Sequence, residues 1–315
     1  MMSTSSVQST RSGFDHRQAQ LWQQLLERRT GVRAASLNLD WLAAGIGELA
    51  DELGFTDTMD YYRQLACGGD NHPQWTRLLD RILVRDTRFL RHRESMNAVG
   101  RIWQDYQNER QQNHQKNNSG SSFTAWSVGC SSGEETYSLA LVLADNCLDH
   151  QVSYGVIGMD ISAQAIATAR NGIYSSAQLA ALSQRQRDHY FQCRKNGDYQ
   201  VGEQLRRRTC FIRGNVLQVA ADSSQHIPQM QGADLIYCQN LLPYFRRWQR
   251  QQLVAGLAAN LKPGGHLIVG PGELANWQPP HTERVAEPAV QMYRRNTCIS
   301  ASAGVSHPAP MRIRK

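Results

Sequence analysis

Residues Ala125 to Leu143 read AWSVGCSSGEETYSLALVL. An apolar run passes into the small residues Gly129 to Gly133, then into the adjacent carboxylates Glu134 and Glu135, then into apolar residues at helical spacing. Strand, tight turn and helix follow one another, the unit from which α/β sheets are wound. The turn is not the G-x-G-x-x-G of dinucleotide-binding loops. Two carboxylates at that helix N-terminus would repel a pyrophosphate. Acids in a first turn also stabilise a helix in any protein, so the stretch alone supports a ligand-binding and a structural reading equally.

Working outward, SYGVIGMD, RTCFIRGN, ADLIYCQN and GGHLIVG are further short apolar runs, with helical stretches such as RWQRQQLVAGLAANL between several of them. The alternation predicts an α/β fold with a doubly wound, Rossmann-like sheet over residues 123–300. About forty residues interrupt it between AIATARNGIY and FIRGN. They include YFQCRKNGDYQVGEQL, whose Asn-Gly between aromatic and β-branched residues is a hairpin signal. A small antiparallel β insertion at about 183–212 is expected. Upstream, residues 14–110 form helices, among them RQAQLWQQLLERRTG with its glycine stop. Arg77, Arg81, Arg85 and Arg88 recur at helical spacing there, a solvated basic stripe or a docking face for an acidic partner. Polar residues 111–122 read as a linker, 1–13 as a disordered Ser/Thr-rich tail and 301–315 as a loose tail.

The chain of 315 residues is 41% hydrophobic and carries a formal charge of +7, which favours acidic partners without choosing among them. No apolar run reaches the roughly 18 to 20 residues of a membrane span, and the N-terminus lacks the apolar core of a signal peptide. Cys67, Cys130, Cys147, Cys193, Cys210, Cys238 and Cys298 show no CxxC pair, so reduced thiols in the cytoplasm are expected and no metal site.

In open α/β sheets the ligand sits beyond the carboxyl ends of the strands. Glu135 follows the first strand, Asp160 ends the second, Asn215 follows a later one, and Gln239 and Asn240 follow another. An acid closing the second strand suits ribose hydroxyls. A nucleoside with a positive centre and no phosphate suits the whole set, and S-adenosylmethionine, with an ammonium and a sulfonium, is such a molecule. Each residue taken singly is also an ordinary cap or turn residue.

AWSVGCSSGEETYSLAL, MDISAQAIATARNGIY, LIYCQNLLPYF and LKPGGHLIVGPGE resemble, in order and spacing, the CheR family of chemotaxis receptor methyltransferases. VRDTRFLRHRE resembles that family's T-x-F-F-R element, and the likeness spans roughly residues 14 to 295. Pilus-associated relatives such as PilK share these features, so a swimming or a twitching-motility output is left open. The resemblance implies a class I methyltransferase fold and S-adenosylmethionine as cofactor, with S-adenosylhomocysteine as product. It implies cofactor contacts from Thr87, Arg91, Glu135, Asp160, Asn215, Val216, Gln239 and Asn240, and places Arg91 and Tyr244 beside the transferred methyl. Departures are Arg85 where Asn is usual, Gln239 where Arg is usual, Pro243 before Tyr244, and GPGE for GHSE, with Glu273 kept.

The resemblance implies methyl transfer to glutamate side chains of methyl-accepting receptors. Such a carboxylate, with an unperturbed pKa of about 4.3, is already ionised and needs no general base. Arg91 suits gripping it and Tyr244 orienting it. The expected partners are the receptor's cytoplasmic helices, with no nucleic acid and no membrane insertion. CRKNGDYQVGEQ is shorter than the family's peptide-gripping hairpin and lacks its glycine-spaced turn, so independence from the receptor C-terminal pentapeptide is expected. A nucleic-acid methyltransferase is disfavoured because two leucines separate Asn240 from Pro243, whereas the Asn-Pro-Pro-Tyr loop places proline directly after asparagine. A non-catalytic S-adenosylmethionine-binding module is the other alternative.

Overall fold

A computed structural model of the chain describes residues 15–33, 36, 38–69, 72–83, 86–113, 122–148, 152–221 and 232–297. The expected tails, residues 114–121 of the expected linker, Arg85 and Cys298 lie outside the described residues.

Helix α1 (His16–Thr30) opens with a reciprocal capping box between Asp15 and Gln18 and closes on Gly31 at φ 77. α2 (Leu39–Glu52), α3 (Thr58–Cys67) and α4 (Pro73–Ile82) follow, the last with proline in its first turn. These four enclose their own core around Trp22, Leu42, Ile46, Tyr61 and Leu78. α5 (Arg93–Asn113) belongs elsewhere: Val99 and Trp103 pack with Phe123 and Leu139 in the core under the sheet.

The sheet begins with β1 (Phe123–Val128), α6 (Glu134–Asp145), β2 (Tyr154–Asp160) and α7 (Ala163–Asn171). Next come β3 (Ile173–Tyr174), α8 (Gln184–Tyr190), β4 (Phe191–Cys193), β5 (Tyr199–Val201) and the single turn α9 (Glu203–Arg206). β6 (Thr209–Arg213), α10 (Val216–Ala221), β7 (Ala233–Cys238), α11 (Arg247–Ala259), β8 (Leu261–Val269), β9 (Thr282–Val285) and β10 (Gln291–Arg295) complete the order. Seven strands lie as β6-β2-β1-β7-β8-β10-β9. Pairing is parallel from β6 to β8, while β10 runs antiparallel to both neighbours. Every residue of β7 is buried, as a strand covered on both faces requires. The order reverses between β1 and β7, which opens a crevice at their carboxyl ends.

The second sheet, β3-β5-β4, is antiparallel. The Asn-Gly hairpin joins β4 to β5, with Gly197 at φ 84. Two features differ from the expected 183–212 insertion. Its third strand starts at Ile173, because Gly172 at φ 60 ends α7 and its carbonyl accepts the Val201 N–H at 2.8 Å. Thr209–Arg213 belongs to the large sheet, paired with β2.

Candidate active site

A cavity of about 330 Å³ opens where β1, β2 and β7 end, and Thr87, Arg91, Glu135, Asp160, Gln239, Asn240 and Tyr244 all border it. Val32, Trp41 and Leu42, from α2 and the segment before it, border it as well.

The turn after β1 depends on two left-handed glycines. Gly129, at φ 79, and Cys130 both donate their N–H to the Met159 carbonyl at 2.9 Å, which fixes the turn against β2. At Gly133, φ 99, a Cβ would stand 2.7 Å from the Ala169 Cβ and 2.9 Å from the Tyr174 hydroxyl, so glycine lets α6 start against α7. The two carboxylates then part. Glu134 is 1% exposed and accepts from the Ser132 hydroxyl at 2.7 Å and from Gln178 Nε2 at 2.9 Å. Glu135 faces the cavity and accepts from the Ser127 hydroxyl at 2.7 Å. Burial pushes its carboxyl up to about 8. The negative charges of Glu273 and Asp160 reinforce that shift, and the Ser127 hydrogen bond and the Arg91 charge oppose it.

Asp160 is fixed by two backbone donors, Ser131 N–H to Oδ2 and Ser162 N–H to Oδ1, each at 2.9 Å. A carboxylate has lone pairs beyond those two, so it can still accept from hydroxyls in the cavity. Arg91, which borders the same cavity, donates to the Asp86 carbonyl at 2.6 Å and to Asp86 Oδ2 at 2.8 Å. Tyr244 ends the 3-10 turn Leu242–Tyr244, and its carbonyl accepts the Arg33 N–H at 2.6 Å. That bond ties the segment after α1 to the cavity rim.

Gln239 borders the cavity with its amide already engaged. It accepts from the Tyr237 hydroxyl at 2.7 Å and donates to Ser95 Oγ at 2.9 Å and the Val269 carbonyl at 3.2 Å. Asn240 sits at φ 59 and donates its N–H to Glu273 Oε1 at 2.9 Å, while Gly270 N–H holds Oε2 at 3.1 Å. Burial raises Glu273 to about 7.

Asn215 and Val216 are not among the residues that border this cavity. Asn215 donates to the Arg29 carbonyl at 3.3 Å and accepts the Leu217 N–H at 3.1 Å, and Val216 is buried in an apolar cluster. The cause is the seat of α1: a Cβ on Gly31 would stand 1.9 Å from Leu217 Cδ1, so the end of that helix lies directly against this segment. The arginine stripe is also partly committed. Arg77 pairs with Glu52 at 3.0 Å, and Arg81 with Glu48 at 3.3 Å and with Glu52.

His92, absent from the expected set, borders the cavity with Nε2 2.8 Å from Asn240 Oδ1. Its position next to Arg91 was the one signal, and it carries no spacing motif. Trp41 is another addition, contributed by a helix whose text shows only amphipathic periodicity. The donor set fits S-adenosylmethionine: burial and neighbouring carboxylates hold the Glu135 carboxyl up, so a cation beside it favours its ionised form, which an anionic pyrophosphate would disfavour further.

Strand order and cavity together define a class I S-adenosylmethionine-dependent methyltransferase architecture. Residues 85–290 match the family model described as CheR methyltransferase, SAM binding domain, and the chain belongs to that family. The probable biofilm formation methyltransferase WspC of Pseudomonas aeruginosa is 27% identical over 276 residues, 88% of this chain and 61% of that protein. Chemotaxis protein methyltransferase Cher2 of Pseudomonas putida is 29% identical over 175 residues, 54% of this chain and 61% of that protein. Chemotaxis protein methyltransferase 2 of Vibrio cholerae is 28% identical over 228 residues, 72% and 73% of the two chains. The chain thus spans about three fifths of the first two relatives. Among the described residues no helix is long and apolar enough to cross a membrane.

Proposed function

We propose that the protein transfers methyl from S-adenosylmethionine to glutamate carboxylates of methyl-accepting chemotaxis receptors, in the cytoplasm. The observation that carries this reading is one cavity bordered both by Glu135, in the first turn of α6, and by Arg91, from the segment before α5. The names of the relatives, chemotaxis methyltransferases among them, support the receptor as substrate.

Bound in the cavity, S-adenosylmethionine supplies an electrophilic methyl on a sulfonium. The chain's own residues do the rest. Glu135 receives the ammonium, and its half-burial makes that charge pair stronger than it would be in water. Asp160, held rigid by two amides, accepts from the ribose hydroxyls. Arg91 grips the acceptor carboxylate through its planar fork, and Tyr244 donates to the second oxygen. No base is required, because the acceptor arrives ionised. Val32 and Leu42, both buried, give the cavity an apolar border, and a drier site favours a reaction in which opposite charges disappear. Thr87 and Asn240 border the same space and complete the cofactor contacts, with Gln239 as a strut that holds Asn240 in place.

Incubation with radiolabelled S-adenosylmethionine and purified receptors tests this. The expected result is label on the receptor that alkali releases as methanol. Label found only in RNA or DNA, or none on any receptor with folded enzyme, would remove the reading.

A further inference from the structure

Asn240 is fastened at several points. Its backbone is left-handed at φ 59, a region that asparagine enters more readily than most other non-glycine residues. Its N–H is held by Glu273 Oε1 at 2.9 Å, and its Oδ1 lies 2.8 Å from His92 Nε2. With the backbone fixed, the remaining choice is which end of the side-chain amide meets the cavity. The two ends are chemically opposite: the oxygen accepts and the NH2 donates twice. If His92 carries its proton on Nε2, it donates to Oδ1 and leaves both N–H bonds of Nδ2 for the cavity. If the proton sits on Nδ1, the ring accepts from Nδ2 and the oxygen faces inward. The surroundings select the first arrangement. The cavity that His92 and Asn240 border also carries the carboxyls of Glu135 and Asp160, so the positive end of the amide dipole belongs on this side.

We propose that His92 is a positioning residue: through Nε2–H it fixes the Asn240 amide so that Nδ2 donates to an acceptor atom of the adenosyl cofactor. This rests on the cofactor-binding half of the reading above and not on the identity of the methyl acceptor. It also joins segment 86–92, which carries Arg91, to the loop after β7.

Calorimetric titration with S-adenosylhomocysteine tests it in the wild type, His92→Leu, His92→Gln, Asn240→Ala and the variant carrying both His92→Leu and Asn240→Ala. Losing one hydrogen bond predicts binding about fivefold to tenfold weaker in His92→Leu. His92→Gln keeps a donor and stays within about threefold of wild type. The double variant binds as Asn240→Ala does, because His92 acts only through Asn240. A histidine that merely stabilised the fold would lower the melting temperature without producing that non-additivity. Should His92→Leu fail to fold, the nitrogen-15 spectrum of the wild-type ring at pH 8 decides, with the Nε2–H tautomer expected. Wild-type affinity in folded His92→Leu, additive losses, or an Nδ1–H tautomer would each overturn the proposal. Receptor methylation enters none of these readouts, so a wrong acceptor and a wrong role for His92 give different results.

Discussion

Arg91 spends its two terminal nitrogens on Asp86, whose side chain is 71% exposed, so the guanidinium proposed to hold a substrate carboxylate is held by one of the chain's own. An arriving glutamate has to displace it. Asp86→Asn weakens that competitor, and the receptor KM should fall about twofold to fivefold with kcat little changed, the scale of an exposed ion pair. Arg91→Ala should lower turnover on the order of a hundredfold while the melting temperature stays near wild type, and Arg91→Lys, without the planar fork, should recover little of it. Glu135 gives a separate readout. At pH 7, below its value of about 8, the carboxyl of the free protein keeps its proton. An ammonium beside it favours the charged form, so binding S-adenosylhomocysteine should release a proton. Heats of binding measured in buffers of different ionisation enthalpy should show that release, and Glu135→Gln should remove most of it. Glu135 could be marked by its place after a strand and Arg91 by the resemblance of VRDTRFLRHRE, both local stretches, whereas nothing in the sequence pointed to Asp86. That Glu135 and not Glu134 belongs to the cavity came from the resemblance and not from spacing, since both occupy the same first helical turn; Glu134 turns away to Ser132 and Gln178.

Gly133 and the small sheet show how far an element can be predicted from its own text. A methyl group at Gly133 meets Ala169 and Tyr174 and is strained at φ 99, so Gly133→Ala should cost about 2–4 kcal/mol in urea unfolding, with loss of cofactor affinity. The Asn196-Gly197 hairpin was visible because only a few residue pairs tolerate that turn. Its third strand was not, because β3 is two residues long and exists only through its pairing with β5. The same hairpin bears on partner choice. If it does not grip a receptor tail, a receptor lacking its last five residues should be methylated as fast as the intact one. A tenfold slower rate for the truncated receptor would show that the tail is gripped after all.

At the scale of the molecule, acids gathered at the sheet rim link stability to pH. Glu135 at about 8 and Glu273 at about 7 are raised above their unfolded values, so the folded state binds their protons more tightly than the unfolded chain does. Their contribution is fully present below about pH 4.5 and is lost as pH rises through 7 and 8. Between pH 6.5 and 8 the cofactor-free protein should therefore melt at progressively lower temperature. Glu135→Gln should flatten that slope, and S-adenosylhomocysteine should restore most stability at the upper end. Equal slopes for the wild type and Glu135→Gln would contradict the placement of Glu135. By itself the sequence determined the alternation of strands and helices, the turn after β1, and the acids and amides at the strand ends, because these depend on residues close together in the chain. Tertiary structure decided which of them share a cavity. Asn215 was drawn to α1, α5 was drawn into the core beneath the sheet, and His92 met Asn240 across 148 positions. Those outcomes depend on how whole helices seat against the sheet, and local spacing does not encode that.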